Sequence, residues 1–267
     1  MIRPLLPAWA GRALPVIGML HLPPLPGAPG YRGDRDGIRD WLLRDLDALV
    51  DGGVDGLLLE NFGDAPFHPG ALPAHVVAEM TALACLVRAR CALPLGINCL
   101  RNDGLAALAV AHAAGGAFIR VNVLGGARVT DQGVISGQAH LLLRERQRLG
   151  AGQVRILGDV DVKHSVPLGQ PRPLEQEAAD LAARGGADGL VVSGTATGQP
   201  TQAADLDRVR AACALPVLVG SGVAVDNVTD YLGRADALIV GSALKQDGGA
   251  RAAVDPARVR ALCARLR

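Results

Sequence analysis

VRILGDVDVKHSVPLGQPRPLEQEAADLAARGGADGLVVSG, residues 154–194, contains one complete repeating unit of this chain. It opens on an apolar run at 154–160, crosses an ionisable cluster, and enters a stretch predicted as a helix near 174–185. It then turns at Arg-Gly-Gly-Ala-Asp-Gly and meets a second apolar run at 189–194. Runs that are apolar at nearly every position are buried on both faces, as parallel strands under covering helices are. The paired glycines mark helix C-termini, where a residue without a side chain turns the backbone at positive φ.

The same pattern extends in both directions. Further apolar runs occupy 15–22, 56–61, 94–99, 118–123, 216–221 and 237–242. Helices are predicted from Asp34, near 72–91, from Asp103, over 137–149, near 203–213 and near 225–232, with a last one opened by Asp255-Pro256. Eight strand-helix units in about 250 residues is the size of a (β/α)₈ TIM barrel. A doubly wound open sheet is the competing architecture, but it requires neither eight equal units nor the glycine-serine loops described below. One domain is expected over 1–267, with 1–13 as an N-terminal extension.

With 49% hydrophobic and 20% charged residues, the composition is that of a compact domain with an ample core. A net charge of +1, with both signs mixed along the chain and few aromatic residues, argues against nucleic acid as a partner. The five cysteines form no CxxC pair and read as reduced core residues of a cytoplasmic protein. The N-terminal stretch is broken by prolines and arginines, unlike a signal peptide, and no apolar run approaches the ~20 residues of a membrane span. Any membrane association is therefore expected to be peripheral. Barrels of this size often pair, so a homo-oligomer is expected.

In a barrel the chemistry sits at the C-terminal ends of the strands and in the loops that follow. Polar residues gather there: His21, Glu60 and Asn61, Asn98, Arg120 and Asn122, then Asp159, Asp161, Lys163 and His164, and Ser193 and Thr195. Only two of the 27 Lys and Arg residues are lysine, and both Lys163 and Lys245 lie just past an apolar run. A lysine ammonium loses its proton readily on burial, whereas a guanidinium does not. The seventh and eighth runs end in Gly220-Ser221-Gly222 and Gly241-Ser242, where barrels commonly hold a phosphate on backbone N–H groups. Lys245, three residues beyond Ser242, is placed to cap that anion or to reach solvent.

Period-two alternation puts Asp159, Asp161 and Lys163 on one side for as long as the strand lasts. With Glu60 and His21 they form an acid/base set, a divalent metal site, a Schiff-base lysine with its neighbours, or a structural ion-pair network. Asn61, Asn98, Arg120, Asn122, His164, Ser193 and Thr195 are candidates for orienting a substrate. His112 and His140 read as exposed or core-edge histidines, and Cys99 as a small buried residue. Phe62, Phe67 and His68 are placed to cover a ligand.

IGMLHLPPLPGAPGYRG, DGLLLENFGDAPF, LGINCLRNDGLAALAVAHAAGGAFIRVNV, TDQGVISG, DVKHSVPLG, SGTATGQP, VGSGVAVDNV and IVGSALKQDG closely resemble successive blocks of the BtpA family. The resemblance covers nearly the whole chain. It implies a barrel similar to those of the ribulose-phosphate-binding group. It also implies a role in the accumulation of photosystem I proteins in phototrophs, at a thylakoid surface, or a metabolic activity in organisms without photosynthesis. Two functions follow. One is an isomerase or lyase using general acid/base chemistry on a small phosphorylated sugar or phosphoribosyl compound. The other is a non-catalytic biogenesis or stability factor.

Overall fold

In the computed structural model, which describes residues 3–194 and 201–267, eight parallel strands close into a barrel. They are β1 (Val16–His21), β2 (Gly56–Glu60), β3 (Leu95–Asn98), β4 (Phe118–Val121), β7 (Arg155–Val160), β9 (Gly189–Val192), β10 (Val217–Val219) and β11 (Ala237–Val240). Their order around the barrel is β1-β11-β10-β9-β7-β4-β3-β2. Outside them lie α1 (Arg35–Gly52), α2 (Ala74–Arg90), α3 (Gly104–Ala114), α4 (Ala139–Arg148), α5 (Leu174–Ala183), α6 (Ala203–Ala212) and α7 (Pro256–Ala264). This is the (β/α)₈ barrel that the repeating pattern predicts.

Helix starts fall where the acidic signals put them. The carboxylates of Asp34, Asp103 and Asp255 accept from Gly37 N (2.7 Å), Ala106 N (2.9 Å) and Ala257 N (2.8 Å), satisfying N–H groups that the first turn leaves open. Gly53 and Gly115 end α1 and α3 at φ of 88° and 70°, a conformation that costs a side-chain-bearing residue strain. A second device recurs in the loops before β2, β9 and β11. Asp55, Asp188 and Asp236 accept from the backbone N–H of Val16, Ile156 and Val217, which tie down the starts of neighbouring strands.

Two regions depart from expectation. No α-helix follows β10; residues 228–231 make a single 3₁₀ turn. Asn227 accounts for this: its amide accepts from Ala224 N and donates to Gly222 O, giving the backbone a turn in place of a helix. In addition, β5 (Ala127–Thr130), β6 (Gly133–Ser136) and β8 (Ser165–Pro167) form a small antiparallel sheet in the order β6-β5-β8. It projects from the loops after β4 and β7.

One apolar layer lies between strands and helices, and a second fills the barrel axis. The stretch read as an N-terminal extension belongs to the second layer. Leu5, Leu6 and Trp9 pack against Ile17, Leu58, Phe118, Leu157 and Leu218. The Trp9 ring meets Phe118 edge-on at 6.0 Å, and its indole N–H donates to Asp55 O at 2.9 Å. Burying each of these large side chains contributes about 1.5–3 kcal/mol. The N-terminal end of the barrel is thereby closed, and the open end is the one that carries the polar residues.

Candidate active site

A cavity of about 280 Å³ occupies the C-terminal mouth of the barrel. Met19, Leu100 and Ile239 contribute to its apolar lining, and Phe62 and Phe67 reach it from the loop after β2. His21, Glu60, Arg120, Asn122, Lys163, His164, Gly220, Ser221, Gly222, Gly241 and Ser242 all line it. The sequence brings these together from six strands because each lies at or just beyond a strand's C-terminal end.

His21 and Glu60 sit side by side on adjacent strands, with Nε2 and Oε1 3.8 Å apart. The other imidazole nitrogen, Nδ1, lies 2.9 Å from Ala250 O, and because a carbonyl only accepts, Nδ1 carries the hydrogen. Nε2 is then an acceptor facing Glu60. Burial, reinforced by Lys245, lowers the His21 pKa to about 3, so the ring is neutral. It stacks on Phe62 at 4.4 Å. The Glu60 carboxyl accepts from Asn98 Nδ2 at 2.6 Å, and burial raises its pKa against the opposing pull of Arg120 and Lys163. Asn98 therefore acts by holding Glu60.

Arg120 grips Asp159 through two hydrogen bonds of 2.8 and 2.9 Å, and Asn122 Nδ2 adds a third at 2.8 Å. Both members of the ion pair are almost wholly buried, with side-chain exposures of 5% and 1%. Burial works against the Arg120 charge, but Asp159 outweighs it and raises the guanidinium pKa. Asp159 is consumed in this pair and does not line the cavity, whereas Arg120 and Asn122 do. Asn122 Oδ1 is buried with no donor.

Alternation does not carry past Val160. Asp161 has a φ of 50°, which ends the strand and swings its side chain outward. It is 64% exposed and bonded to Arg128 at 2.8 Å, so it stands apart from Asp159 and Lys163. Arg128 also takes Glu177 through two bonds, locking the small sheet onto α5. Lys163 does reach the cavity, and burial, followed by the neighbouring Arg120 charge, lowers its pKa to about 8. His164, at φ 56°, lines the same wall, and burial lowers its pKa as well.

Lys245 neither caps an anion nor reaches solvent. Its side chain is 1% exposed, and Nζ bonds Asp45 at 3.2 Å and Ala252 O at 3.1 Å. The backbone turns inward through the 3₁₀ segment Ser242–Leu244, which takes the lysine into the layer between α1 and the chain's end. Asn61 is also structural. Its side-chain oxygen accepts from Leu100 N at 2.7 Å, and its amide donates to Asp64 and to Leu100 O. It braces the loop after β3. Among the described residues Ser193 Oγ has no partner; it is buried beneath Gly220, where an added Cβ would come within 2.5 Å of it. Thr195 lies outside the described residues.

Cys99 is buried against Met80, and its thiol is pushed well above the ordinary range by burial, as befits a core residue. His112 and His140 are exposed. Among the described residues, no group of three or more His, Cys, Asp or Glu is arranged to hold a metal ion. Two cations that line the cavity escaped sequence reasoning: Arg101, in the loop after β3, and Arg251, beyond β11. Arg101 stands three residues past Asn98, in a loop of the class where barrels place chemistry.

The model of the BtpA family matches residues 12–267. The chain belongs to the BtpA family. A relative in Synechocystis, the photosystem I biogenesis protein BtpA, is 45% identical over 92% of this chain and 86% of its own length. An uncharacterised protein of Pyrococcus furiosus is 44% identical over 88% of this chain and 87% of its own. Family members thus occur in Synechocystis and in Pyrococcus furiosus. Among solved structures, Mycobacterium tuberculosis tryptophan synthase matches with a TM-score of 0.63 at 19% identity, covering 100% of this chain and 99% of that one. Phosphoribosyl anthranilate isomerase of Thermus thermophilus matches at 0.57 and 14%, covering 95% and 98%. These two likenesses establish the barrel fold.

Proposed function

We propose that this BtpA-family barrel is an enzyme that anchors a small phosphorylated metabolite and moves protons on it, as an isomerase or lyase does. The observation that carries the reading is a single cavity shared by two sets of groups. One set is the glycine-serine loops after β10 and β11; the other is Glu60, His21 and Lys163. Gly222 and Gly241 let backbone N–H groups approach phosphate oxygens, Gly220, whose own N–H bonds Val192 O, keeps that wall free of a side chain, and the Ser242 hydroxyl adds a donor. Glu60, its pKa raised by burial, is placed to exchange a proton with the substrate, and the free Nε2 of neutral His21 is a hydrogen-bond acceptor beside it. The Lys163 ammonium, still mostly charged at pH 7, stabilises an oxyanion that develops between them. Arg120 and Asn122 orient the substrate from the neighbouring strand.

The test is ligand-dependent unfolding with inorganic phosphate, ribose 5-phosphate, ribulose 5-phosphate and phosphoribosyl compounds. A probe present at 100 times its dissociation constant stabilises the native state by about 2.7 kcal/mol. Ser242→Asp, which puts a carboxylate in the phosphate cradle, should abolish that shift. On a substrate that is turned over, Glu60→Gln should keep binding and lower kcat by about 100-fold or more, and Lys163→Met should lower kcat/KM. No shift with any phosphate would overturn the reading.

The name of the Synechocystis relative favours a second reading, a non-catalytic factor in assembling a membrane protein complex. No helix of the described residues is long and apolar enough to cross a membrane, so such a factor would act on the complex from outside the bilayer. Under this reading Glu60→Gln leaves assembly intact, whereas under the enzymatic reading it abolishes whatever depends on the product.

A further inference from the structure

Arg101 and Lys163, in the cavity wall, have no carboxylate in ion-pair contact among the described residues; Asp159, Glu60 and, for Arg101, Asp131 act on them only from farther away. Arg101 is only 7% exposed, yet no carboxylate of the described residues forms an ion pair with it. Its Nη2 donates to Lys163 O at 2.8 Å, and its Nε is buried with no acceptor. The Lys163 ammonium likewise has no carboxylate within ion-pair distance among the described residues. Residues 195–200, Thr-Ala-Thr-Gly-Gln-Pro, contain no acidic side chain that could serve either.

The nearby carboxylates are engaged elsewhere. Asp159 is held by Arg120 and Asn122, Glu60 accepts from Asn98, and Asp161 is turned out to Arg128. A buried cation with no carboxylate in contact is only partly compensated, and an anionic ligand would supply the missing contact. A planar guanidinium flanked by an ammonium suits a carboxylate or a phosphate.

The position of this pair is as informative as its charge. Arg101 follows β3, and the Gly220–Gly222 loop follows β10. In the order β1-β11-β10-β9-β7-β4-β3-β2, β3 and β10 stand four strands apart in either direction, on opposite sides of the mouth. Glu60 and His21, on β2 and β1, lie on the arc between them.

We propose that the substrate is anionic at both ends. One end is a phosphate on the glycine-serine loops; the other is a carboxylate or second phosphate on Arg101 with the Lys163 ammonium beside it. The reacting carbons then lie in the middle, next to Glu60 and His21, and a substrate hydroxyl donates to Asn122 Oδ1. This rests on the phosphate-site reading above and narrows its substrate class.

Titration calorimetry at 0.15 M salt with matched probes tests it: glycerol 3-phosphate against 3-phosphoglycerate, and ribulose 5-phosphate against ribulose 1,5-bisphosphate. In each pair the second compound adds one anionic group. At least one doubly anionic probe should bind about tenfold tighter or more than its partner, as a charge-assisted hydrogen bond to a desolvated site provides. Arg101→Met should erase that advantage while leaving the monophosphate affinity unchanged, and Arg101→Lys should retain part of it. Circular dichroism checks that the variants fold, with Arg101→Lys as the informative one if Arg101→Met does not. Equal affinities within both pairs, or an advantage that survives Arg101→Met, overturn the inference while the phosphate site stands. Failure of every probe to bind overturns both.

Discussion

Asp159→Asn separates structural from chemical roles in the ionisable cluster. In the native protein the Arg120 guanidinium is 5% exposed and its charge is balanced by one carboxylate, through bonds of 2.8 and 2.9 Å. Replacing that carboxylate with an amide keeps the shape, removes the charge and turns an NH₂ group toward a donor. Stranding one member of a buried pair costs about 3–5 kcal/mol. In a domain of this size each kcal/mol lowers the melting temperature by about 2–4 °C, so a fall of roughly 6–20 °C is expected. Urea unfolding followed by circular dichroism measures the free energy directly. The double variant Arg120→Met with Asp159→Leu strands no charge and should be more stable than Asp159→Asn alone. A loss below about 1 kcal/mol in the single variant, or a double variant less stable than the single, would refute the reasoning.

Two further outcomes are expected. Lys245→Met leaves the buried Asp45 with only the half-exposed Arg44 at 3.7 Å and the Val254 N–H, and should lower stability by about 3 kcal/mol in urea unfolding, while the affinity for inorganic phosphate stays unchanged. Loss of phosphate affinity in a folded Lys245→Met protein would put Lys245 back in the anion site. With two lysines in the chain, reductive ¹³C-methylation gives a simple spectrum, in which one resonance, lost in Lys163→Met, should titrate near pH 8. The sign for stability follows from linkage. Lys163 has its pKa lowered on folding from 10.5 to about 8, so between those values the unfolded chain binds more protons. Wild-type stability should therefore rise relative to Lys163→Met as the pH climbs from 8 to 10.5, with no difference in slope below 8. A steeper fall in wild type over that range would show that the ammonium is stabilised by the fold.

The barrel was legible because its signals are local. Eight apolar runs, acidic helix caps at Asp34, Asp103 and Asp255, and glycine C-caps at Gly53 and Gly115 each act within a few residues of chain. They also place His21, Glu60, Asn98, Arg120 and Asn122 at strand ends, where a barrel gathers its polar groups. The small antiparallel sheet was not read, although the short β5 and β6 runs flank the turn residues Asp131-Gln132. The helix expected after β10 failed because Asn227 satisfies the backbone in another way.

By itself, then, the sequence determined the order of the eight barrel strands and of the helices around them except the one after β10, the polar end of the barrel and the two glycine-serine loops. Each of these depends on periodicity or on a residue's own backbone preference. Only the tertiary structure decided which charges meet. Asp159 and Asp161 are two residues apart, but one lies in a buried pair with Arg120 and the other at the surface with Arg128. Lys163 and Lys245 follow their strands alike, but one enters the cavity and the other a core ion pair with Asp45. Arg101 took on meaning only once the fold showed it buried with no carboxylate of the described residues in ion-pair contact. A side chain's charge and pKa are set by what lies within a few ångströms in space, and in a closed barrel those neighbours come from strands tens to hundreds of residues away.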